Sequence, residues 1–235
     1  MTLTTWPPVF HVRLSKRVKG THFRFTHEKG LELVTSRKIS PSKIQSLLDT
    51  HRRWIERIFN RYEYSPSKCN ELPTSIIFPA FSLQWNIEYI ESNSGPDYLK
   101  EDGFNLALYT MENESSFNNK IFITWLNKKA KQLLEPMLIE LSKKMDLLVG
   151  KVTFRNTKSI WGSCDKNKKI MLSSRILFLP KELIRYIMIH ELSHLVHLNH
   201  SPRFWHLVAQ FDPGFKAHRI ALRRSQQYLP YWLYY

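Results

Sequence analysis

Residues 190–200, HELSHLVHLNH, place four of the chain's ten histidines and one glutamate in a segment otherwise built of leucine, valine, serine and asparagine. The apolar residues Leu183, Ile184, Ile187, Met188, Ile189, Leu192, Leu195, Val196 and Leu198 surround them at helical spacing. Such a pattern predicts a helix enclosed by protein from Pro180 to about Leu198. His190, Glu191 and His194 would then leave water, and each unpaired polar group would cost about 1–3 kcal/mol. A divalent cation is a partner that could serve all three. Four helical residues turn about 400°, so His190 and His194 project within about 40° of each other and roughly 6 Å apart along the axis. Both rings can reach one Zn2+ at about 2.0–2.1 Å. Glu191, about 100° round the helix, is placed to take a proton from water activated by that ion.

A third imidazole has two sources. His197 lies on nearly the same face but about 10.5 Å beyond His190 along the axis. His200 follows Asn199, a candidate left-handed cap, and precedes Ser201-Pro202, which disfavours further helix and lets the chain turn back. His200 is therefore the preferred third ligand, with His197 assigned to the cleft wall. Three ligands leave one position open, as hydrolysis requires. The spacing of His190, His194 and His200 equals that of the metzincins, but His197 stands where their motif carries glycine.

The elements that must position this cluster are legible around it. Trp161, Gly162 and Ser163, in SIWGSC, read as a strand edge on which an extended peptide could pair, glycine allowing close approach of another backbone. Cys164 reads as a small packed side chain, and Phe204 and Trp205 as packing for the loop that bears His200. Arg203, Lys158, His197 and His218 are candidates to stabilise an oxyanion. KVTFRNT, SIWGSC and KIMLSSRILFL read as strands around a DKNKK turn, and residues 120–148 as a helix that Pro136 kinks or divides. SIIFPAF, LQWNIEYI and NLALYT are strand candidates between the turns SNSGPD and KEDG. Ser40-Pro41 reads as an N-cap and first helical residue, opening a helix to about Tyr62. HFRFTHEKGLELV reads as a hairpin, residues 64–73 as a linker, and 112–119 as a polar stretch. The terminal YLPYWLYY is expected to fold back on the protein or meet another copy.

The segments NTKSIWGSC and IHELSHLVHLNHSPRFW together resemble the YgjP-like family of zinc metallopeptidases, related to the SprT-like proteases. The family pattern runs approximately R-x-x-K-S-R-W-G-S-C, then a strand pair ending in Pro, then H-E-L-x-H-x-x-x-x-N-H-S-x-x-F-W. It is matched here at Arg155, Lys158, Ser159, Trp161–Cys164, His190–Leu192, His194, Asn199–Ser201, Phe204 and Trp205. The basic hairpin and HRRWIER helix extend the likeness over nearly the full length. The elements and the composition shift at 112–119 read as an α+β fold with a β-rich basic region, residues 1–117, followed by residues 118–235, which the resemblance implies is a zincin-like domain. The resemblance also implies His190, His194 and His200 as ligands of Zn2+ and Glu191 as catalytic acid/base in a metallopeptidase. Ile160 departs from the pattern, standing where the family usually has Arg.

Composition bounds the alternatives. Thirty-five Lys and Arg against twenty Asp and Glu give +15, and residues 1–63 alone hold thirteen basic and five acidic side chains. That excess fits a solvated surface, or a nucleic acid bound through the basic N-terminal region. Beside the peptidase acting on a peptide or protein stand two other expectations: a metal-dependent nucleotide phosphohydrolase, and a nucleic-acid-associated protein with a structural or degenerate metal site. Cys69 and Cys164 form no CxxC pair, so neither a disulfide framework nor a cysteine-built zinc site is expected. No long apolar run or secretory leader pattern occurs, so a cytoplasmic, non-membrane protein is expected.

Overall fold

The computed structural model describes residues 6–26, 30–62, 72–111 and 120–234. The fold is α+β, and the chain divides into two compact units, residues 1–71 and 72–233. In the first, β1 (Phe10–Leu14), β2 (Thr21–Thr26) and β3 (Gly30–Thr35) form a sheet ordered β1-β3-β2, with β2 and β3 antiparallel as the hairpin reading expects. Glu28 and Lys29 of its turn lie outside the described residues. The pattern of Phe23, Phe25 and Leu31 turns one sheet face toward Leu48, Ile55 and Phe59. These come from α1 (Pro41–Thr50) and α2 (Arg52–Tyr62). Ser40 caps α1, its hydroxyl accepting from the Lys43 N–H, with Pro41 beginning the helix. The expected single helix is two, interrupted at His51, whose φ of −99° and ψ of 9° leave the helical range. The polar segments read as a linker and as the 112–119 stretch lie outside the described residues, except Leu72 and Pro73.

The second unit begins with a sheet ordered β4-β5-β7-β6: β4 (Ser75–Phe78), β5 (Leu83–Glu91), β6 (Tyr98–Asp102) and β7 (Asn105–Thr110). Strand β6 stands where the composition of Lys100-Glu101-Asp102 predicts a turn. Instead Glu101 reaches inward, accepting from the indole N–H groups of Trp85 and Trp125, both at 3.0 Å, and pairing with Lys129. Burial alone would raise its pKa, but these donors outweigh it and hold the carboxyl below its usual range. Trp125 and Lys129 belong to α3 (Lys120–Lys144), which runs unbroken through Pro136. Phe78 packs on Trp85, Trp125 and Phe178, with ring centroids 5.2, 5.8 and 5.4 Å away. This sheet, grouped by composition with the N-terminal region, is therefore fastened to α3 in the second unit.

The third sheet is ordered β8-β10-β9, with β8 (Val152–Arg155) parallel and β9 (Gly162–Cys164) antiparallel to β10 (Ile170–Ser173). The turn between β9 and β10 closes as expected, Asp165 accepting from the backbone N–H groups of Asn167 and Lys169. The strand expected through Leu179 stops at Ser173. Ser174–Phe178 form a fully buried 3₁₀ turn, and Leu179 is extended before Pro180. The buried Arg175 on this turn donates to Asn156 Oδ1 and to the Leu233 carbonyl, both at 2.5 Å. The aromatic end of the unit does fold back: Trp232 meets Phe122 and Phe178 at 5.7 and 6.0 Å. The remaining helices are α4 (Lys181–Ser193), α5 (Pro202–Phe211) and α6 (Phe215–Leu222). No helix among the described residues is long and apolar enough to cross a membrane.

Candidate metal centre

Helix α4 is enclosed as its apolar pattern requires, with Leu183, Ile184, Ile187–Ile189 and Leu192 all buried. It ends five residues earlier than expected. Beyond Ser193 the backbone tightens to three-residue spacing, with N–H groups of His194, Leu195 and Val196 donating to the carbonyls of Glu191, Leu192 and Ser193. Asn199 is not among the positive-φ residues, so the left-handed cap expected there does not form. The reversal is completed at Ser201, whose hydroxyl accepts from the Phe204 N–H while Pro202 opens α5.

The turn brings His200 back to His190 and His194. One ring nitrogen of each lies within 4.8 Å of the others, and the Nε2 atoms of His190 and His200 are 3.1 Å apart. His194 Nδ1 donates to the His197 carbonyl at 3.0 Å, leaving its Nε2 lone pair free. His197 thus serves through its backbone, and its ring is outside the cluster. Buried His190 Nδ1 has no hydrogen-bond partner among the described residues. That ring is held by packing against Tyr186, Phe204 and Trp205, at 6.0, 5.0 and 5.8 Å.

These donors fit zinc. Bonds of about 2.0–2.1 Å in a tetrahedral site separate ligand nitrogens by about 3.3–3.4 Å, close to the His190–His200 separation. Burial, then the charges of His194, His200 and Arg219, pulls His190 down to about 3. Its ring is neutral at physiological pH, as a ligand must be. Burial, followed by His194 and Arg219, also lowers His200.

Glu191 is 6% exposed, and burial pushes its carboxyl up to about 8. A neighbouring divalent cation would favour the ionised form. Strand β9, an outer edge of its sheet, lies beside α4. A Cβ on Gly162 would stand 2.7 Å from Glu191 Cγ and 2.8 Å from its Oε1. Glycine is needed here for space. Gly162→Ala is expected to displace the carboxylate and lower turnover about 100-fold, the effect of a roughly 1 Å misplacement, with zinc stoichiometry unchanged. Paired kinetic and metal assays check this.

Trp161 is half-buried, and Ser163 is exposed on the same edge. Cys164 is no activated nucleophile, since burial, then Glu191 and Asp165, pushes its thiol up to about 11. Arg203 is exposed on the first turn of α5, Lys158 is exposed, and Ile160 is 46% exposed. His218 donates from Nδ1 to buried Asp212 at 2.8 Å, 6.2 Å from the Tyr186 ring.

The sequence model of the YgjP-like family, described as a metallopeptidase domain, matches residues 19–225. The chain belongs to the YgjP-like family. It is accordingly a hydrolase of the metal-dependent peptidase class. Two solved structures are also similar in part: the metallopeptidase zymogens of Pyrococcus abyssi abylysin and Methanocaldococcus jannaschii jannalysin. They are 30% and 16% identical, each covers 40% of this chain, and the matches take in 94% and 96% of those chains, both at a TM-score of 0.36. No curated protein matches.

Within this YgjP-like chain, several contributors escaped the sequence reading. Tyr186 lies one helical turn before His190, a spacing that could have flagged it. Arg219 sits 4.8 Å above the Trp205 ring, which stacks on His200 at 5.5 Å and on Phe215 at 5.5 Å. Neither Arg219 nor Phe215 is marked by any motif.

Proposed function

We propose that this chain is a zinc-dependent peptidase in which His190, His194 and His200 hold the ion and Glu191 is the general base and acid. The observation that carries the reading is the convergence of three imidazole nitrogens beside a buried carboxylate wedged against Gly162. Bound zinc would supply a Lewis acid for the scissile carbonyl and lower the pKa of water toward about 7. The chain's own residues do the rest. Glu191 takes a proton at its carboxylate and returns it to the leaving amine. The edge of β9, through Trp161, Gly162 and Ser163, offers main-chain groups to an extended substrate. Phe204 and Trp205 hold the imidazoles in place and exclude water behind them.

The test strips the purified chain with a chelator and restores one equivalent of zinc. Zinc is expected to restore cleavage of a reduced, unfolded protein. It should also stabilise the fold by about 2.7 kcal/mol when free zinc is 100 times its Kd. Full zinc occupancy without cleavage overturns the peptidase, as does phosphate release from a nucleoside triphosphate in its place.

A further inference from the structure

The first unit concentrates its positive charge in two stretches of the chain. Residues 12–27 and 33–48 contain eight Lys and Arg and no Asp or Glu. Folding gathers five of these at one end of the β1-β3-β2 sheet. The connection from β1 to β2, Ser15–Gly20, is tied to the exit of β3. Ser15 N–H donates to the Thr35 carbonyl at 2.9 Å and Ser36 N–H to the Gly20 carbonyl at 3.3 Å. A hydroxyl relay runs from Thr21 to Thr35 at 3.1 Å and on to the Arg37 carbonyl at 2.8 Å. Lys16, Arg17, Lys19, Arg37 and Lys38 are all exposed on these two joined segments.

Two more of these cations, Arg13 and Arg24, lie on the sheet. Register places His11, Glu32 and Arg24 in one row, and Arg13, Val34 and His22 in the next. Alternation turns these rows away from the face that packs on the helices. His11, Arg13, His22 and Arg24 are exposed, whereas Glu32, the acid of that face, is 4% exposed. A soluble surface ordinarily mixes the two signs. This one presents a single sign on a framework fixed by hydrogen bonds.

We propose that this end of the sheet binds the phosphodiester backbone of a nucleic acid without reading its sequence. Closely spaced cations gain when a polyanion replaces their counterions, and arginine matches phosphate geometry. Exposed Ser36 adds a hydroxyl donor of the kind phosphates accept from. A lipid surface is the poorer match. Of the apolar side chains beside these cations, Val18 and Ile39 are partly buried, and Val12 and Leu14 of the edge strand β1 are exposed, a small apolar surface for membrane insertion.

The experiment measures anisotropy of a labelled 30-nucleotide mixed-sequence DNA strand with the full chain between 50 and 300 mM KCl. Replacing Lys16, Arg17, Lys19, Arg37 and Lys38 by Ala is expected to weaken binding at least ten-fold. It should flatten the log K against log salt slope by about 0.7 per contact removed. A control removes as much charge from the other unit, with Lys131, Lys143, Lys166, Lys181 and Lys216 changed to Ala, and should bind nearly as the parent. The single reversal Arg17→Glu must weaken binding in the same direction, which covers a misfolded five-fold variant. Equal losses in the control, or an unchanged slope, overturn the assignment. Tight binding to vesicles of 20% anionic phospholipid with none to the strand also overturns it. None of these readings requires zinc or peptidase activity.

Discussion

The Glu191→Gln variant is expected to keep its full zinc complement and lose about 10²–10⁴ of kcat/KM on an unfolded protein substrate. Glutamine fills the same space against Gly162, so the polypeptide and the three imidazoles need not shift. It cannot take up a proton at the oxygen where Glu191 does. Glu191→Asp separates position from charge: its carboxylate withdraws by one methylene from the strand edge, and an intermediate loss is expected. Wild-type turnover in the Gln variant would place the base elsewhere. Loss of zinc along with activity would make Glu191 a structural support rather than an acid/base.

Phe204→Ala is expected to be the most destabilising single change at the centre. The side chain is 0% exposed and lies 5.0, 4.6 and 4.8 Å from His190, His194 and His200, ring centre to ring centre. Truncating a buried Phe costs about 3–5 kcal/mol, part of it for the cavity left behind. For a unit of this size each kcal/mol lowers Tm by about 2–4 °C. Calorimetry should therefore show the second unit melting roughly 6–20 °C earlier. Because the same ring touches all three imidazoles, zinc affinity should fall in parallel, and Phe204→Leu should recover part of both. Unchanged affinity in a destabilised Phe204→Ala would mean the rings are oriented without it.

The parts of the fold legible in the sequence are those in which the determinant is local. Ser40-Pro41 and Ser201-Pro202 announce helix starts because cap and first residue are adjacent, and the β2–β3 hairpin follows from alternation across a short turn. The helical spacing of His190 and His194, with the Ser201-Pro202 stop just beyond His200, pointed to the three imidazoles that the fold brings together, although the cap expected at Asn199 does not form. The end of α4 was not legible. Leu195, Val196 and Leu198 continue the apolar period, yet Val196 and Leu198 are 49% and 68% exposed, and no glycine or proline marks the change to three-residue spacing. Strand β6 was hidden for a different reason. Glu101 looks like a turn residue until Trp85 and Trp125, 16 and 24 positions away, deliver their indole N–H groups to it. The layering of Arg219 and Phe215 on Trp205 is likewise a tertiary fact, made by a helix beyond the motif.

The knot of Glu101, Lys129 and the two tryptophans bears on where this protein can be cut. Severing the chain in the 112–119 stretch, the place composition suggests, would strand Trp85 and Phe78 on one fragment and Trp125 and Phe178 on the other. Each piece would carry a raw aromatic surface, and Lys129 would lose its anion. An excised catalytic fragment that retains its partners must therefore begin near Leu72.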